Sequence, residues 1–288
     1  MTTQPAPTPT GRAGRDLPAA IGVAVVLLAM FVTTLAWFNW GFVILVAIAL
    51  ALGAVEVHHA LQRIGMSSAI VPIVIGTVAI IIGSYLAGQL EQDTIPSNTL
   101  LLAALGLTVL ASLIWRMPGG SENFVKDAAA SLFIIAYIPL MGAFAALMLA
   151  GDLGRERILT LLLCVIASDI GGYAVGVLFG KHPMAPKISP KKTWEGLAGS
   201  VGFGTIVGVV CAVYLLHVSP WVGVVLGLAL VAFGACGDLI ESLIKRDVGI
   251  KDMSSFLPGH GGVMDRLDSL LIAAPVAWLL MYLMVPGG

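Results

Sequence analysis

Carboxylates occur in two pairs with the same spacing near the end of this 288-residue chain. Asp238 and Glu241 form the first pair, and Asp265 and Asp268 form the second. A spacing of three places both members of a pair on one face of a helix. A stabilised helix end would explain one such pair, but two pairs flanking one loop indicate a shared ligand. Because Mg²⁺ takes carboxylate, phosphate and water oxygens, the pattern predicts metal-assisted phosphate chemistry.

A glycine-rich turn lies between the two pairs. Its residues Gly259, His260, Gly261 and Gly262 could bring backbone N–H groups close to an anion, because glycine permits positive φ. His260 could bond a phosphate or carry a proton, although an isolated histidine is more often structural. The flanking cations expected to bind a triphosphate are Lys245, Arg246, Lys251 and Arg266.

A second polar loop lies upstream, at 180–196. Lysines beside a membrane could simply set topology or bind anionic lipid headgroups. Hydroxyl, ammonium and carboxylate groups packed this densely around Trp194 are better explained by phosphate binding. The residues expected to bind substrate here are Ser189, Lys191, Lys192, Thr193 and Glu195.

Asp169 is an acidic residue near the middle of an apolar run. It must face protein or water, because a carboxylate in hydrocarbon is costly, and a functional role is therefore expected. An ion-coupled transporter with Asp169 as its coupling site is one alternative. The concentration of charge on one face, instead of at the midplane where transport sites lie, argues against it.

The elements that must position these residues are membrane helices. The chain is 58% hydrophobic and 11% charged, with a mean hydropathy of +0.99, whereas soluble domains carry about a quarter charged residues. The predicted fold is an all-α polytopic integral membrane protein with about nine transmembrane helices. The expected spans are 18–36, 41–57, 69–87, 99–115, 128–150, 158–179, 197–216, 221–240 and 267–285.

Orientation and organisation follow from the basic residues. With the N-terminus in the cytoplasm, nine spans put 13 of the 15 Lys and Arg residues on the cytoplasmic side. The polar loops 180–196 and 241–266 then share that face. We expect a disordered cytoplasmic tail at 1–16, N-terminal transmembrane helices at 17–150 and a C-terminal catalytic region at 151–288.

Two stretches resemble the signature of the phosphatidate cytidylyltransferase family, the CDP-diacylglycerol synthases. One runs from Gly237 to Asp268 and includes Pro-Gly-His-Gly-Gly and Val-Met-Asp-Arg-Leu-Asp. The other includes Asp169 and the run from Ile188 to Gly196. Together they cover about the last 120 residues, and the residues before them show only hydrophobicity.

The resemblance implies that CTP and phosphatidic acid are condensed to CDP-diacylglycerol and pyrophosphate. It also implies Mg²⁺, as one ion or as two, the second of which could be monovalent. The implied metal ligands are Asp238, Asp265 and Asp268, assisted by Glu241 and Asp169. The residues implied in catalysis are Asp238, Lys245, Arg246, Lys251, His260, Asp265, Arg266 and Asp268. Substrate binding is assigned to the residues of loop 180–196 given above and to Gly259, Gly261 and Gly262.

Further expectations concern the binding partners and the cellular location of the protein. The resemblance implies a multi-pass protein of the cytoplasmic membrane, with its site facing the cytoplasm and the lipid bilayer as its surroundings. No nucleic acid is expected as a partner, and a homodimer is left open. The alternative within the same chemistry is a related CTP-using membrane enzyme, either a polyprenol kinase or a CDP-archaeol-type synthase.

Overall fold

Ten α-helices and one β-hairpin make up the part of the chain that the structure describes. The computed structural model describes residues 17–89, 97–257 and 261–286. The tail predicted at 1–16 lies outside these residues. The helices are α1 (Leu17–Trp37), α2 (Asn39–Gln62), α3 (Ile70–Gln89), α4 (Ser97–Arg116), α5 (Phe124–Ile135), α6 (Met141–Ala150), α7 (Gly154–Phe179), α8 (Trp194–Tyr214), α9 (Pro220–Asp247) and α10 (Met264–Met284).

Most of these helices can cross a bilayer. Within the described ranges, eight helical segments are long and apolar enough to do so. One of them, Phe124–Ala150, consists of α5 and α6 joined by a π-helical turn at Ala136–Leu140. Pro139 lies in this turn, where its missing N–H is accommodated by the wider helix. The helical, multi-pass membrane fold is thus confirmed, whereas the count of nine spans stays a prediction.

The α2 helix is longer than the sequence predicted. The expected span, 41–57, stops where polar residues begin, but the helix runs over Asn39–Gln62. Glu56 and His58 are both buried in it, with 7% and 8% of their surface exposed. Because each has hydrogen-bond partners, including the Ser68 hydroxyl for His58 at 2.6 Å, neither residue ends the helix.

Close packing through glycines joins α7, α8 and α9. A Cβ on Gly171 of α7 would lie 2.6 Å from the Gly199 carbonyl oxygen of α8. A Cβ on Gly208 of α8 would lie 2.5 Å from the Gly223 carbonyl oxygen of α9. The glycines therefore let the three backbones approach. The last helix, α10, packs against α9 and also contacts α2, α6 and α7.

The connection between α7 and α8 is a small β-hairpin. Strand β1 (Pro183–Ala185) pairs antiparallel with β2 (Ser189–Thr193), with Pro183 opposite Thr193. This hairpin is the one β-sheet among the described residues. It gives loop 180–196 a defined shape, so its side chains are presented from a strand and not from an irregular connection.

Candidate functional site

The base of the hairpin is held by Glu195, in the first turn of α8. One carboxylate oxygen accepts hydrogen bonds from the N–H groups of Lys181 and His182 at 3.1 and 3.2 Å. The other lies 2.5 Å from the Nδ1 atom of His182. At the same corner the Thr193 hydroxyl accepts from the Gly196 N–H and caps α8. Glu195, predicted to bind substrate, is thus placed by the structure as an anchor of the hairpin.

The hairpin is also tied to α9. The Lys192 Nζ atom lies 2.5 Å from the Asp238 carboxylate. Nearer the end of α9, Arg246 donates from Nε to the Ile188 carbonyl oxygen at 3.4 Å. Two cations predicted to bind phosphate therefore hold the hairpin against α9 in this structure.

A cavity of about 300 Å³ lies between the hairpin and the helices. Five predicted site residues line it: Lys191, Lys192 and Thr193 of the hairpin, Asp238 of α9 and Asp169 of α7. Asp169 lines the cavity and is not buried in the core, which satisfies the expectation that it face protein or water. The polar lining residues are Ser168, Asp169, Tyr173, Lys191, Lys192, Thr193, Ser200, Asp238 and Ser269.

Two carboxylates, those of Asp169 and Asp238, line this cavity, and a third lies near them. Asp268 of α10 is near enough to Asp238 and Asp169 for the three groups to repel one another. The approach of α10 to α9 requires Gly237, because a Cβ there would lie 2.5 Å from the Asp268 carbonyl oxygen. One member of each predicted pair, Asp238 and Asp268, therefore interacts electrostatically with Asp169, and Asp238 lines the cavity together with Asp169.

The other two predicted metal ligands share a lysine. Lys245 forms ion pairs with Glu241 and with Asp265, the latter at 2.9 Å. The Glu241 side chain is 1% exposed and that of Asp265 is 6% exposed. The second Glu241 oxygen has no hydrogen-bond partner among the described residues. Lys245, predicted to bind a triphosphate, thus pairs with two buried carboxylates here.

The glycine-rich turn has a different arrangement from the predicted anion cradle. Gly261 has φ +83°, as the glycine content indicated. The Gly262 N–H, however, donates to the Asp265 carboxylate at 2.8 Å in this structure, and its role in binding a phosphate stays a prediction. Its donor capacity is already used by the protein. Gly259 and His260 lie outside the described residues.

The remaining predicted residues lie around this centre. Lys251 is exposed in the bend after α9, and Arg266 is exposed in the first turn of α10, near enough to Asp169 to interact electrostatically. Ser189 begins β2 and is partly buried. The structure therefore brings most of the predicted residues to one end of the helix bundle, and their individual roles stay predictions.

A comparison with known families agrees with this arrangement. The family model described as the cytidylyltransferase family matches residues 18–284. This chain belongs to the cytidylyltransferase family. The match includes the helices before residue 150, which the sequence motifs did not cover.

Individual relatives of this family member carry a more specific name. A phosphatidate cytidylyltransferase of Mycobacterium leprae (strain TN) is 42% identical over 96% of this chain and 90% of its own length. One of Mycobacterium tuberculosis (strain ATCC 25618 / H37Rv) is 40% identical over 98% of this chain and 87% of its own length. One of Haemophilus influenzae is 32% identical over 91% of this chain and 95% of its own length. The family predicted from the motifs is confirmed.

The donor set of this family member fits a hard divalent cation. Among the described residues no group of three or more His, Cys, Asp or Glu side chains is arranged to hold a metal ion. Mg²⁺ does not need such a group, since it is commonly held by one or two carboxylates together with substrate phosphates and water. Asp169 and Asp238 both line the cavity and offer oxygen ligands. The residues present would therefore suit a metal that arrives with a polyphosphate.

One residue at the edge of the site was missed by sequence reasoning. Glu56 of α2 accepts hydrogen bonds from Ser254, Val263 and Met264, where the chain enters α10. In the sequence, Glu56 is a single carboxylate at the end of a long apolar run. As for Asp169, the cost of a carboxylate in hydrocarbon predicts that it faces protein or water.

Proposed function

We propose that this protein transfers the cytidylyl group of CTP to phosphatidic acid, producing CDP-diacylglycerol and pyrophosphate. The observation that carries the proposal is the cavity that is lined by Lys191 and Lys192 together with Asp169 and Asp238. Two polyanionic substrates must meet in this reaction, so a site needs cations for their phosphates and carboxylates for a metal. The names of the relatives support the same reaction.

In this reaction a phosphate oxygen of the lipid forms a bond to the α-phosphorus of CTP. The bond between the α-phosphorus and the bridging oxygen to the β-phosphate breaks, and pyrophosphate leaves with that electron pair. The lipid phosphate is already ionised at neutral pH, so neither a protein nucleophile nor a general base is required. Positioning and electrostatic stabilisation should therefore account for most of the catalysis.

The residues of this chain would divide the work between anion binding and metal binding. Lys191 and Lys192 on the hairpin would bind phosphate oxygens from one wall of the cavity. Asp169, Asp238 and Asp268 would hold Mg²⁺, with Glu241 and Asp265 adjusting the local charge through Lys245. When bound, Mg²⁺ would neutralise charge on the triphosphate. Lys192, which pairs with Asp238 in this structure, would then be available for a substrate phosphate.

The cytoplasmic membrane and a site facing the cytoplasm are part of the proposal. The hairpin, the end of α9 and the start of α10 meet at the end of the bundle where the basic residues are concentrated. A cysteine at position 187 should react with an impermeant reagent only after cells are permeabilised. A cysteine at position 93, outside the described residues, should react from outside. The reverse pattern would contradict the orientation and the site with it, because CTP is cytoplasmic.

A homodimer, which the sequence leaves open, is a further part of the proposal. Light scattering of the detergent-solubilised protein should then give twice the mass of the 29.9 kDa chain. A mass of one chain across the concentration range of the measurement would contradict it.

The deciding experiment is a transfer assay with two differently labelled nucleotides. Purified protein is incubated with Mg²⁺ and CTP labelled at the α-phosphate or at the γ-phosphate, with phosphatidic acid, a polyprenol or an archaeal ether phosphatidate. Cytidylyl transfer to phosphatidic acid places the α-label in lipid and the γ-label in pyrophosphate. A γ-label in polyprenol would indicate a kinase instead, and preference for the ether lipid would indicate the archaeal-type synthase. The exposed Glu122 gives a matched control, because Glu122→Gln should leave the rate unchanged.

A further inference from the structure

Glu56 brings a carboxylate from α2 to the connection between α9 and α10. Its Oε1 atom accepts hydrogen bonds from the Ser254 hydroxyl at 2.6 Å and from the Val263 N–H at 2.9 Å. Its Oε2 atom accepts from the Met264 N–H at 2.8 Å. Glu56 is 7% exposed, so all three bonds are shielded from water. A buried carboxylate with three neutral donors is held firmly, because any loss leaves a buried polar group unpaired.

The first turn of α10 has no local cap. Val263, the residue before the helix, has helical backbone angles of φ −66° and ψ −39°, and its side chain makes no capping hydrogen bond. The first N–H groups of a helix have no partner within the helix. Glu56 accepts two of these groups, and its negative charge complements the helix dipole. The cap of α10 is thus supplied by α2, more than 200 residues earlier in the sequence.

Gly262 makes room for this contact. A Cβ on Gly262 would lie 2.6 and 2.9 Å from the two Glu56 carboxylate oxygens, closer than side chains approach one another. Gly261, the preceding residue, turns the chain with φ +83°. Part of the glycine-rich turn is therefore explained by the approach of Glu56, independently of any substrate.

Two carboxylates accept hydrogen bonds from the backbone N–H groups of the connection between α9 and α10. Asp265 accepts from the N–H groups of Met253 and Gly262, and Glu56 accepts from the next two N–H groups along the chain. We propose that Glu56 is a positioning residue of the cytidylyl-transfer site, which fixes the start of α10 and thereby the places of Asp265 and Asp268. This inference rests on the proposed function, but the Glu56 contacts can be tested without turnover.

The main test is Glu56→Gln, which keeps the size of the side chain and replaces one accepting oxygen with an NH₂ group. That group cannot accept from a backbone N–H, so one end of the α10 cap is lost. Amide hydrogen exchange of a peptide covering 261–268 should become about tenfold faster or more, while a peptide from the middle of α9 exchanges as in the wild type. The control Glu122→Gln should leave both peptides unchanged.

The kinetic readout separates positioning from general damage. Glu56→Gln should lower kcat about tenfold or more and leave the KM for phosphatidic acid within about twofold, because Glu56 is placed to position the start of α10 and not to contact substrate. Ser254→Ala removes one of the three bonds and should give a smaller change of the same kind. Unchanged exchange of the 261–268 peptide in Glu56→Gln would overturn the inference whatever the activity. Absence of transfer by the wild type would instead overturn the proposed function.

A double variant tests whether Glu56 and Gly262 act through one contact. Gly262→Ala should displace the Glu56 carboxylate and reproduce the faster exchange of Glu56→Gln. Combining both substitutions should add little to either one, because the contact is already lost. Fully additive effects on exchange would show two independent actions and would overturn the inference.

Discussion

Lys245 offers the sharpest test of how the charges near the site are held. Its ammonium group pairs with Glu241 and Asp265, whose side chains are 1% and 6% exposed, and the lysine side chain itself is 14% exposed. Lys245→Met keeps the length and most of the apolar volume of the side chain and removes the charge. Two buried carboxylates then face each other without their shared cation, which is an unfavourable arrangement.

The magnitude follows from breaking a buried ion pair. Removal of one partner of such a pair typically costs about 3–5 kcal/mol, because the remaining charge stays buried. Asp265 retains two backbone N–H donors, from Met253 and Gly262, so the lower end of that range applies to it. With about 2–4 °C of Tm per kcal/mol, a loss of about 3 kcal/mol corresponds to about 6–12 °C.

Thermal unfolding of the detergent-solubilised protein, followed by tryptophan fluorescence at one scan rate, measures this change. The exposed Lys187 gives the matched control, and Lys187→Met should shift Tm by less than about 2 °C. Glu241→Gln combined with Lys245→Met should recover part of the loss, because one of the two unpaired charges is removed. A Tm for Lys245→Met within about 2 °C of the wild type would refute the reasoning.

Three further predictions concern activity. Asp265→Asn should nearly abolish transfer while the protein stays folded, and a rate within about threefold of the wild type would exclude Asp265 as an essential charge. If the hairpin binds the lipid phosphate, Lys192→Ala should raise the KM for phosphatidic acid more than the KM for CTP. Lys251→Ala should raise the KM for CTP more than the KM for phosphatidic acid. Equal shifts of the two KM values in both variants would indicate one merged anion site. Chelation by EDTA should stop transfer and added Mg²⁺ should restore it, whereas full activity in EDTA would rule out a metal requirement.

The spacing of the acidic residues predicted where the site lies, but not which side chains pair with one another in it. Asp238 and Glu241 lie three residues apart in α9, yet Asp238 pairs with Lys192 of the hairpin while Glu241 pairs with Lys245 beneath it. Helical periodicity determines which residues share a face. It does not determine which other element packs against that face, because those partners are distant in sequence.

The sequence by itself determined that this is a helical membrane protein with its charge gathered at a few connections. Apolar runs of this length must satisfy their backbone hydrogen bonds internally, which leaves helices as the answer. Only the tertiary structure decided that the 180–196 connection folds as a hairpin over α9 and that Glu56 caps α10 from α2. Such contacts join residues far apart in the chain, so no local pattern encodes them, and they form only when the helices have packed.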